Sequence, residues 1–366
     1  MHTESKIVLT GGHAATTALA TIEALRKKGD NKLVWIGSKY AMEGKNTLSL
    51  EFTTFPEVGV KCYSIIAGRL QRKWTRYSLW SLAKVPFGFL HALLLLLFIR
   101  PKVVLSYGGF AALPVVVAAW LLRVPVIVHE QTIAAGLTNR LSSPFARTVA
   151  ISREESRKYF PDNKTVLTGN PTGEKFFSIK AKNAMASPPV LFVTGGSRGS
   201  QRFNQVVFDV IGELTREYIV VHQCGELDLA RAQKVRNSLP LALRKRYEVM
   251  ASISPLSMPA MFSKADIIVG RSGANTVSEV LAAGRPAIFV PIPWVQHDEQ
   301  TKNAKLAERA GQAVIIRQDE LSAKLLLTTI DNVRKNWKKM ARAADILNLD
   351  KNAAEKLVNL ALEQIK

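Results

Sequence analysis

The fold of this chain is decided by residues 267–279, which have the sequence IIVGRSGANTVSE. The apolar run Ile267–Val269 predicts a buried strand, and a short polar turn follows it. Apolar residues then recur at helical spacing until Gly284, which predicts a helix that ends at this glycine. A second apolar run, Ala287–Val290, predicts another strand, and a polar loop containing Gln300 comes after it. Two strand ends and a helix start are therefore expected to converge, which is where ligands bind in open α/β sheets and where anions are attracted.

Length and composition indicate a globular protein of two domains. The chain has 366 residues, so two domains of about 150–200 residues each are expected. Its two cysteines, Cys62 and Cys224, lie far apart and indicate neither a disulfide framework nor a metal-binding spacing. The polar segment Met1–Lys6 leads directly into an apolar run, which indicates no signal peptide. A reducing, cytoplasmic location is the expectation that follows.

The formal net charge of +21 predicts an anionic partner, such as nucleic acid, anionic lipid or an anionic substrate. Between Glu57 and Glu130 there is no acidic residue, while basic and aromatic side chains alternate in residues 69–89. We interpret 69–89 as a surface for an anionic membrane, with a solvated loop or a dimer contact as the alternative. The helix predicted at Pro86–Ile99 is too short to span a bilayer. Its end, Leu93–Ile99, is interpreted as a buried crossover helix, with an interfacial surface as the alternative. No nucleic-acid-binding motif occurs, so no nucleic-acid partner is predicted.

Strands and helices are expected to alternate in both halves of the chain. The first half opens with a strand at Lys6–Thr10, the loop Gly11-Gly12-His13 and a helix. The second half repeats this pattern with a strand at Val190–Thr194, the loop Gly195–Gly199 and a helix. No G-x-G-x-x-G fingerprint of dinucleotide binding is present. We predict an α/β protein with two doubly wound, Rossmann-like domains facing a cleft, made of residues 1–168, residues 169–343 and a terminal helix, 344–366, that returns to the first domain.

Three features of the sequence could bind or transform a ligand, and each has a structural alternative. The Gly195–Gly199 loop either offers amide groups and a hydroxyl to a phosphate or is only a tight turn before a helix. Thr276 and Glu279 fit a capping box, so Glu279 is either a helix cap or a carboxylate that accepts hydrogen bonds from a ribose diol. His13 follows a strand, where a general base could reach a substrate hydroxyl, although a lone histidine is more often structural.

Two further patterns limit the chemistry. His129 and Glu130 end an apolar strand and are interpreted as an orienting pair rather than as catalytic groups. No H-E-x-x-H pattern, spaced Cys/His set or Asp-x-Asp pair occurs, so neither a metal nor another cofactor is predicted. If the substrate is a sugar nucleotide, helix dipoles and amide groups must stabilise its leaving diphosphate.

Several motifs, in matching order over roughly residues 5–320, together resemble the MurG family of N-acetylglucosaminyltransferases. The most specific are RSGANTVSE at 271–279 and HEQ at 129–131; the others are GSRG at 196–199, Asn204, GRP at 284–286, QTKNA at 300–304, GGF at 108–110, AGLTN at 135–139 and GNP at 169–171. The resemblance implies a GT-B fold and inverting, metal-independent transfer of N-acetylglucosamine (GlcNAc). The donor would be UDP-GlcNAc, and the acceptor would be lipid I, which becomes lipid II in peptidoglycan synthesis. It also implies a peripheral position at the cytoplasmic face of the bacterial inner membrane.

The same resemblance implies roles for individual residues. Ser197 would contact the donor diphosphate, Glu279 the ribose and Gln300 the GlcNAc hydroxyls, while the backbone of Ile253 would recognise uracil. His13 would be the base that deprotonates the acceptor hydroxyl, which attacks C1 of the sugar and expels UDP. The other substrate-binding residues expected are Gly11, Gly12, Thr132, Arg198, Ser272, Gly273, Ala274, Asn275 and Thr276.

The chain departs from the family pattern on the acceptor and diphosphate side. The first glycine loop is shortened, so the family histidine matches either His13 or Ala14, depending on the alignment. Thr132 stands where the family has an asparagine, and Arg198 where it has a glutamine. The arginine expected after Pro171 is missing. We hypothesise that Arg198 supplies the positive charge lost there.

Other functions remain open from sequence alone. One is a GT-B transferase with another lipid acceptor, such as diacylglycerol, and a second is a UDP-GlcNAc 2-epimerase of the same architecture. A third is a membrane-associated UDP-sugar-binding scaffold that has lost its catalytic base. The first would transfer sugar to diacylglycerol, the second would form UDP-ManNAc without an acceptor, and the third would bind the donor without turnover.

Overall fold

The computed structural model describes residues 6–29, 31–41, 47–66, 76–196, 199–343 and 350–365, with the side chains in these ranges except those of 76–85 and 296. By its internal contacts the chain divides into an N-terminal unit, residues 1–173 with 349–366, and a C-terminal unit, residues 174–348. Each is an α/β unit built on an all-parallel sheet. The predicted fold class is confirmed, because apolar strands and helices alternate throughout.

In the described part of the N-terminal unit, seven strands form one sheet. The strands are β1 (Lys6–Gly11), β2 (Lys32–Gly37), β3 (Lys61–Ser64), β4 (Val103–Ser106), β5 (Val126–Glu130), β6 (Thr148–Ile151) and β7 (Thr165–Leu167). The helices that connect them are α1 (Ala15–Lys27), α2 (Leu50–Glu57), α3 (Arg76–Ile99), α4 (Ala112–Leu121) and α5 (Leu137–Ser142). The strand order is β3-β2-β1-β4-β5-β6-β7, so the direction of winding reverses between β1 and β4. The loops after these two strands therefore meet at the topological switch point, where α/β sheets bind ligands.

In the described part of the C-terminal unit, six strands form the second sheet. The strands are β8 (Val190–Thr194), β9 (Ile219–Gln223), β10 (Tyr247–Met250), β11 (Ile267–Gly270), β12 (Ala287–Phe289) and β13 (Ala313–Ile315). The helices are α6 (Glu174–Phe177), α7 (Gln201–Glu217), α8 (Leu229–Ser238), α9 (Leu241–Arg244), α10 (Met258–Lys264), α11 (Ala274–Ala283), α12 (Glu299–Arg309), α13 (Ala323–Lys335) and α14 (Trp337–Arg342). The strand order is β10-β9-β8-β11-β12-β13, which places the switch point between β8 and β11.

The central strands of both sheets are apolar over most of their length because helices cover both faces of a parallel sheet. Leu191, Val193 and Val269 are buried on one side of the second sheet, and Phe192 and Ile268 are buried on the other. This continuous burial is what the apolar run before residue 271 predicts. Because the strands are parallel, the polar residues that follow each strand lie at one edge of the sheet.

The terminal helix α15 (Ala353–Glu363) packs against α1 in the N-terminal unit. The segment just before it is anchored by a buried ion pair, in which the Arg153 guanidinium makes two hydrogen bonds to the Asp350 carboxylate, at 2.6 and 2.7 Å. The same carboxylate accepts a hydrogen bond from the backbone amide of Asn170, at 2.8 Å. The exposed pair Lys28–Glu355 adds a contact between the two helices.

The interpretation of Leu93–Ile99 as a buried crossover helix is wrong for one face. Ile99 is buried, but Leu94 and Phe98 are 58% and 72% exposed. A run of nearly uniform leucines does not indicate which face will be covered, because it has no polar side for comparison. Of the segment 69–89, residues 69–75 and the side chains of 76–85 lie outside the described residues. Among the described helices, none is long and apolar enough to cross a membrane.

Candidate active site

The loops after β8 and β11 form the switch point of the C-terminal unit. Gly270 lies so close to β8 that an added Cβ would be 2.7 Å from the Thr194 carbonyl oxygen, so this position needs a glycine. The Thr194 hydroxyl donates to Gln223 Oε1 and accepts from the Gly196 amide, both at 3.0 Å. The Thr194 hydroxyl thus connects the ends of β8 and β9 with the glycine loop. Two predicted residues of that loop, Ser197 and Arg198, lie outside the described residues.

Helix α11 begins one turn earlier than a capping box would require. Gly273 is the N-cap, with φ −60° and ψ 149°, so Thr276 is the third helical residue rather than the cap. The capping-box alternative for Glu279 is therefore wrong, because that motif needs the carboxylate three residues after the cap. An added Cβ on Gly273 would meet nothing within 4 Å, so a ligand has room beside the cap. The predicted residues Ala274, Asn275 and Thr276 form the first turn, where helix amides lack carbonyl partners within the helix.

Glu279 lies on the second turn of α11 and is only 6% exposed. Burial raises the pKa of its carboxyl group to about 8. Within the described part of the chain, no hydrogen bond or cation opposes this desolvation. A buried carboxylate without a partner is costly, and a ligand that offers two hydroxyl donors would remove this cost.

The predicted residues Ser272 and Gln300 connect the two loops beside α11. The Ser272 hydroxyl donates to the Gln300 carbonyl at 2.9 Å, so its side chain is used within the protein. Gln300 Oε1 accepts from the backbone amide of Ile292 at 3.0 Å. The side-chain Nδ2 of Asn303 donates to the Ser272 carbonyl at 3.4 Å. Because Gln300 Oε1 is occupied, its Nε2 group is the part that can donate to a substrate hydroxyl.

Arg271 is a site residue whose role was not predicted from the sequence. Its guanidinium is buried and donates to the Val290 carbonyl and to Gln318 Oε1, both at 2.7 Å. It also donates to the hydroxyl of Ser200, the N-cap of α7, and lies over the Phe203 ring. Burial lowers the pKa of Arg271 to about 10. A charged residue directly after a buried strand was the available sequence signal.

Ile253 lies in the loop after β10, with its side chain buried against the core. Within the described ranges, its backbone amide and carbonyl make no hydrogen bond. Both groups are therefore available for hydrogen bonds to a planar ring that carries a donor and an acceptor. This availability is what the predicted contact with uracil requires.

In the N-terminal unit, the predicted residues Gly11, Gly12 and His13 lie at the switch point. The Gly12 amide donates to the Gly108 carbonyl at 2.9 Å. Gly109, with φ +87°, approaches so closely that an added Cβ would lie 2.8 Å from the Gly12 nitrogen. His13 is exposed and has φ +60°, a left-handed conformation that is uncommon outside glycine.

Thr132 belongs to a loop that is organised by Glu130. Its amide and hydroxyl donate to Glu130 Oε1, at 3.0 and 2.9 Å, and the hydroxyl also contacts the Ala134 carbonyl. Glu130 Oε2 accepts from the Gly136 amide and from Asn139, both at 2.9 Å. All of these donors point at the carboxylate, so Glu130 orders the loop, in agreement with its interpretation as an orienting residue.

His129 is buried, and this burial lowers its pKa to about 4. The ring is therefore neutral near pH 7, with Nε2 donating to the Gly169 carbonyl at 3.0 Å and Nδ1 accepting from Gln131 at 3.3 Å. Both ring nitrogens are engaged, which also fits an orienting role. Among the described residues, no cluster of three or more His, Cys, Asp or Glu side chains could hold a metal ion.

Comparisons with known proteins agree with the two-unit architecture. The profile of the glycosyltransferase family 28 N-terminal domain matches residues 9–151, and that of the family 28 C-terminal domain matches residues 190–359. The fold and the two matched domains are those of a glycosyltransferase.

Two bacterial relatives match over nearly the whole chain. Both are named UDP-N-acetylglucosamine--N-acetylmuramyl-(pentapeptide) pyrophosphoryl-undecaprenol N-acetylglucosamine transferase. The protein from Clostridium perfringens is 33% identical over 344 residues, 91% of each chain. The one from Treponema denticola is 32% identical over 367 residues, 94% of this chain and 93% of its own. The chain belongs to the MurG family of N-acetylglucosaminyltransferases, as its motifs predict.

The crystal structure of Acinetobacter baumannii MurG has the same fold. It is 24% identical, has a TM-score of 0.66, and the match covers 98% of this chain and 99% of that one. The predicted GT-B fold is confirmed.

Proposed function

We propose that this protein transfers GlcNAc from UDP-GlcNAc to lipid I and so forms lipid II in peptidoglycan synthesis. The names of its relatives support this substrate pair. The observation that carries the proposal is the buried Glu279 carboxylate, which has no partner among the described residues and lies one turn beyond an open helix start. This arrangement suits a ligand with an anionic group followed by a diol, as in a nucleoside diphosphate sugar.

The donor would be bound entirely by the C-terminal unit. Its diphosphate would face the amides at the start of α11 and the glycine loop after β8, where the positive end of a helix dipole stabilises charge. The ribose would donate two hydrogen bonds to Glu279, and uracil would pair with the backbone of Ile253. Gln300 Nε2 would donate to a GlcNAc hydroxyl, because Oε1 is already occupied. Ser197 and Arg198, in the same glycine loop, would contact the diphosphate.

In the proposed reaction, the acceptor hydroxyl loses its proton to a base as its oxygen attacks C1 of GlcNAc. The bond between C1 and the phosphate oxygen breaks, and the electron pair leaves with UDP. His13 would be this base, because it is the exposed histidine at the switch point of the N-terminal unit. The helix start at Ala274 would offset the negative charge that develops on the leaving diphosphate.

An acceptor-dependence assay tests the proposal. UDP release from UDP-GlcNAc should require a lipid I analogue, yield a disaccharide product and fall at least about 100-fold in His13→Ala, as for loss of a general base. Transfer to diacylglycerol instead would show another lipid acceptor. UDP-ManNAc formed without an acceptor would show an epimerase, and donor binding without turnover of the wild-type protein would show a scaffold.

We further propose that the protein is peripherally bound to the cytoplasmic face of the bacterial inner membrane. Its contact would be the α3–α4 surface, defined by the exposed side chains of Phe87, Leu90, Leu94, Leu97, Phe98, Trp120 and Leu121. Exposed apolar side chains this numerous indicate an interaction surface, and α3 packs against α4. The surface extends the predicted segment 69–89 toward the end of α3.

Vesicle sedimentation tests this second proposal. Binding should increase with the fraction of anionic lipid and decrease with salt, and Phe98→Ser should weaken it. The matched control is Leu241→Ser, which replaces an exposed apolar residue of the C-terminal unit. Equal loss of binding in both variants would refute a specific surface, and unchanged binding in Phe98→Ser would refute its location.

A further inference from the structure

The first glycine loop of the N-terminal unit is held by a carboxylate from a different helix. Glu51 lies near the start of α2 and is 3% exposed. Its Oε1 accepts a hydrogen bond from the Ala14 amide at 2.9 Å, and its carboxylate also accepts from the amide of His13. The contact joins residues that are 37 positions apart in the sequence.

Helix α1 has no cap of its own, which explains why a distant side chain is needed. Ala14 is the N-cap, and an alanine side chain cannot accept a hydrogen bond. The Glu51 carboxylate accepts from the amide of this N-cap residue, as the N3 side chain of a capping box does, and it lies at the positive end of the helix dipole. Burial raises the pKa of Glu51, and the hydrogen bonds from the amides of Ala14 and His13 oppose this shift, because a charge-assisted hydrogen bond stabilises the ionised form.

Glu51 is itself fixed in place by apolar packing. Phe55, one turn further along α2, is fully buried and packs edge-to-face against Trp35, with ring centroids 4.9 Å apart. The Trp35 ring in turn lies against Gly11, where an added Cβ would be 3.1 Å away. The carboxylate and the glycine loop are thus supported by the same aromatic pair.

We infer that Glu51 is a positioning residue for the proposed transfer reaction, because it holds the backbone of His13 and Ala14 in the geometry that presents the His13 side chain. A left-handed conformation at a residue other than glycine is unfavourable by itself and needs support from its surroundings. The carboxylate provides that support by accepting both amides. Since the two amides are occupied, they are not available to bind a substrate phosphate. The inference rests on the proposed function only for its kinetic consequence.

Hydrogen exchange tests the structural part without any activity. In Glu51→Ala, the amides of His13 and Ala14 should exchange about 10–100-fold faster than in the wild type, as expected when a charge-assisted hydrogen bond is lost. Glu51→Gln retains one acceptor oxygen and should give an intermediate rate. Glu57→Gln is the matched control, because Glu57 is an exposed residue of the same helix, and it should leave both amides unchanged. Unchanged exchange in Glu51→Gln and in Glu51→Ala would overturn the inference.

Kinetics test the functional part. Glu51→Ala should lower kcat for transfer to a lipid I analogue at least about tenfold, with Glu51→Gln intermediate and Glu57→Gln at the wild-type value. The Kd for UDP-GlcNAc should not change, because the proposed donor residues lie in the C-terminal unit. A wild-type kcat in both Glu51 variants, or equal losses of kcat and donor affinity, would overturn the inference. If Glu51→Ala does not fold, Glu51→Gln decides alone by the same criteria. Failure of the wild type to form lipid II would refute the proposed function, while the exchange rates would still decide the role of Glu51 in the loop.

Discussion

Donor binding should depend on pH through a single carboxyl group, Glu279. Burial raises the pKa of this group to about 8, and the described residues provide no hydrogen bond that would lower it. At pH 7 about one tenth of the free protein would therefore carry the ionised form, and at pH 6 about one hundredth. The ionised form is the one that accepts two hydrogen bonds from a ribose diol.

The apparent Kd equals the intrinsic Kd divided by the competent fraction. The affinity for UDP-GlcNAc should therefore rise about tenfold from pH 6 to pH 7 and about fivefold from pH 7 to pH 8, and then level off. At pH 7, binding should release close to one proton from the protein. The diphosphate of UDP-GlcNAc is a diester without a proton to lose in this range, so the released proton is assigned to the protein.

Isothermal titration calorimetry in two buffers with different ionisation enthalpies measures both the affinity and the proton release. Glu279→Gln is the matched control, since it keeps the shape of the side chain and cannot ionise; its affinity should not vary with pH in this way. A wild-type affinity that is constant from pH 6 to pH 8 would refute the reasoning. The same dependence of affinity on pH in Glu279→Gln would assign the released proton to another group.

The same carboxyl group should affect the stability of the free protein. Its folded-state pKa lies above the ordinary value of 4.5, so its stabilising contribution is complete below pH 4.5 and is lost as the pH rises through about 8. The loss amounts to at most about 5 kcal/mol, because each pH unit between these two pKa values corresponds to about 1.4 kcal/mol. Glu279→Gln should therefore gain stability relative to the wild type between pH 5 and pH 8, which urea denaturation at each pH measures.

Three further variants test other parts of the structure. Gly109→Ala should lower the free energy of unfolding, measured by urea denaturation, by about 1–3 kcal/mol. The reason is that φ is +87° and the new Cβ would lie 2.8 Å from the Gly12 nitrogen, and an unchanged free energy would contradict this close approach. Arg153→Ala should lower the free energy of unfolding by about 3–5 kcal/mol, because it leaves the buried Asp350 carboxylate without its cation. Glu355→Gln, which breaks the exposed ion pair with Lys28, should lower it far less, and similar losses in the two variants would show that burial does not set the cost of losing an ion pair. Arg271→Gln should raise the Kd for UDP-GlcNAc, measured by calorimetry, about tenfold, because Ser200 at the start of α7 loses its hydrogen bond from the guanidinium. An unchanged Kd would show that Arg271 does not contribute to the donor site.

Local sequence patterns predicted the central strands because those strands are buried along their whole length. The strand at Val190–Thr194 has the predicted bounds. The strands β3 and β13 lie at the edges of the sheets and are only partly buried, so their apolar pattern in the sequence is weak. The glycines in the loops after the strands also indicated tight turns, because close strand ends need residues without a Cβ.

The donor side of the site could be predicted because its parts lie close together in the sequence. Residues 271–279 contain both the helix start and Glu279, so a helical spacing is enough to relate them. The same spacing suggested a capping box, and only the observed N-cap at Gly273 excluded it. Sequence could not show whether Glu279 has a partner, since that depends on which side chains the tertiary structure brings near it.

By itself, the sequence determined the alternation of strands and helices, the glycine loops at their ends and the family to which the chain belongs, because these depend on local spacing and on motif order. Only the tertiary structure showed that Glu51, 37 residues from Ala14, accepts hydrogen bonds from the loop that carries His13, and that Arg271 donates to Ser200. Only the tertiary structure showed which face of α3 is uncovered. The physical reason is the same in each case: burial and hydrogen-bond partners are set by contacts between distant segments, which have no periodic signal in the sequence.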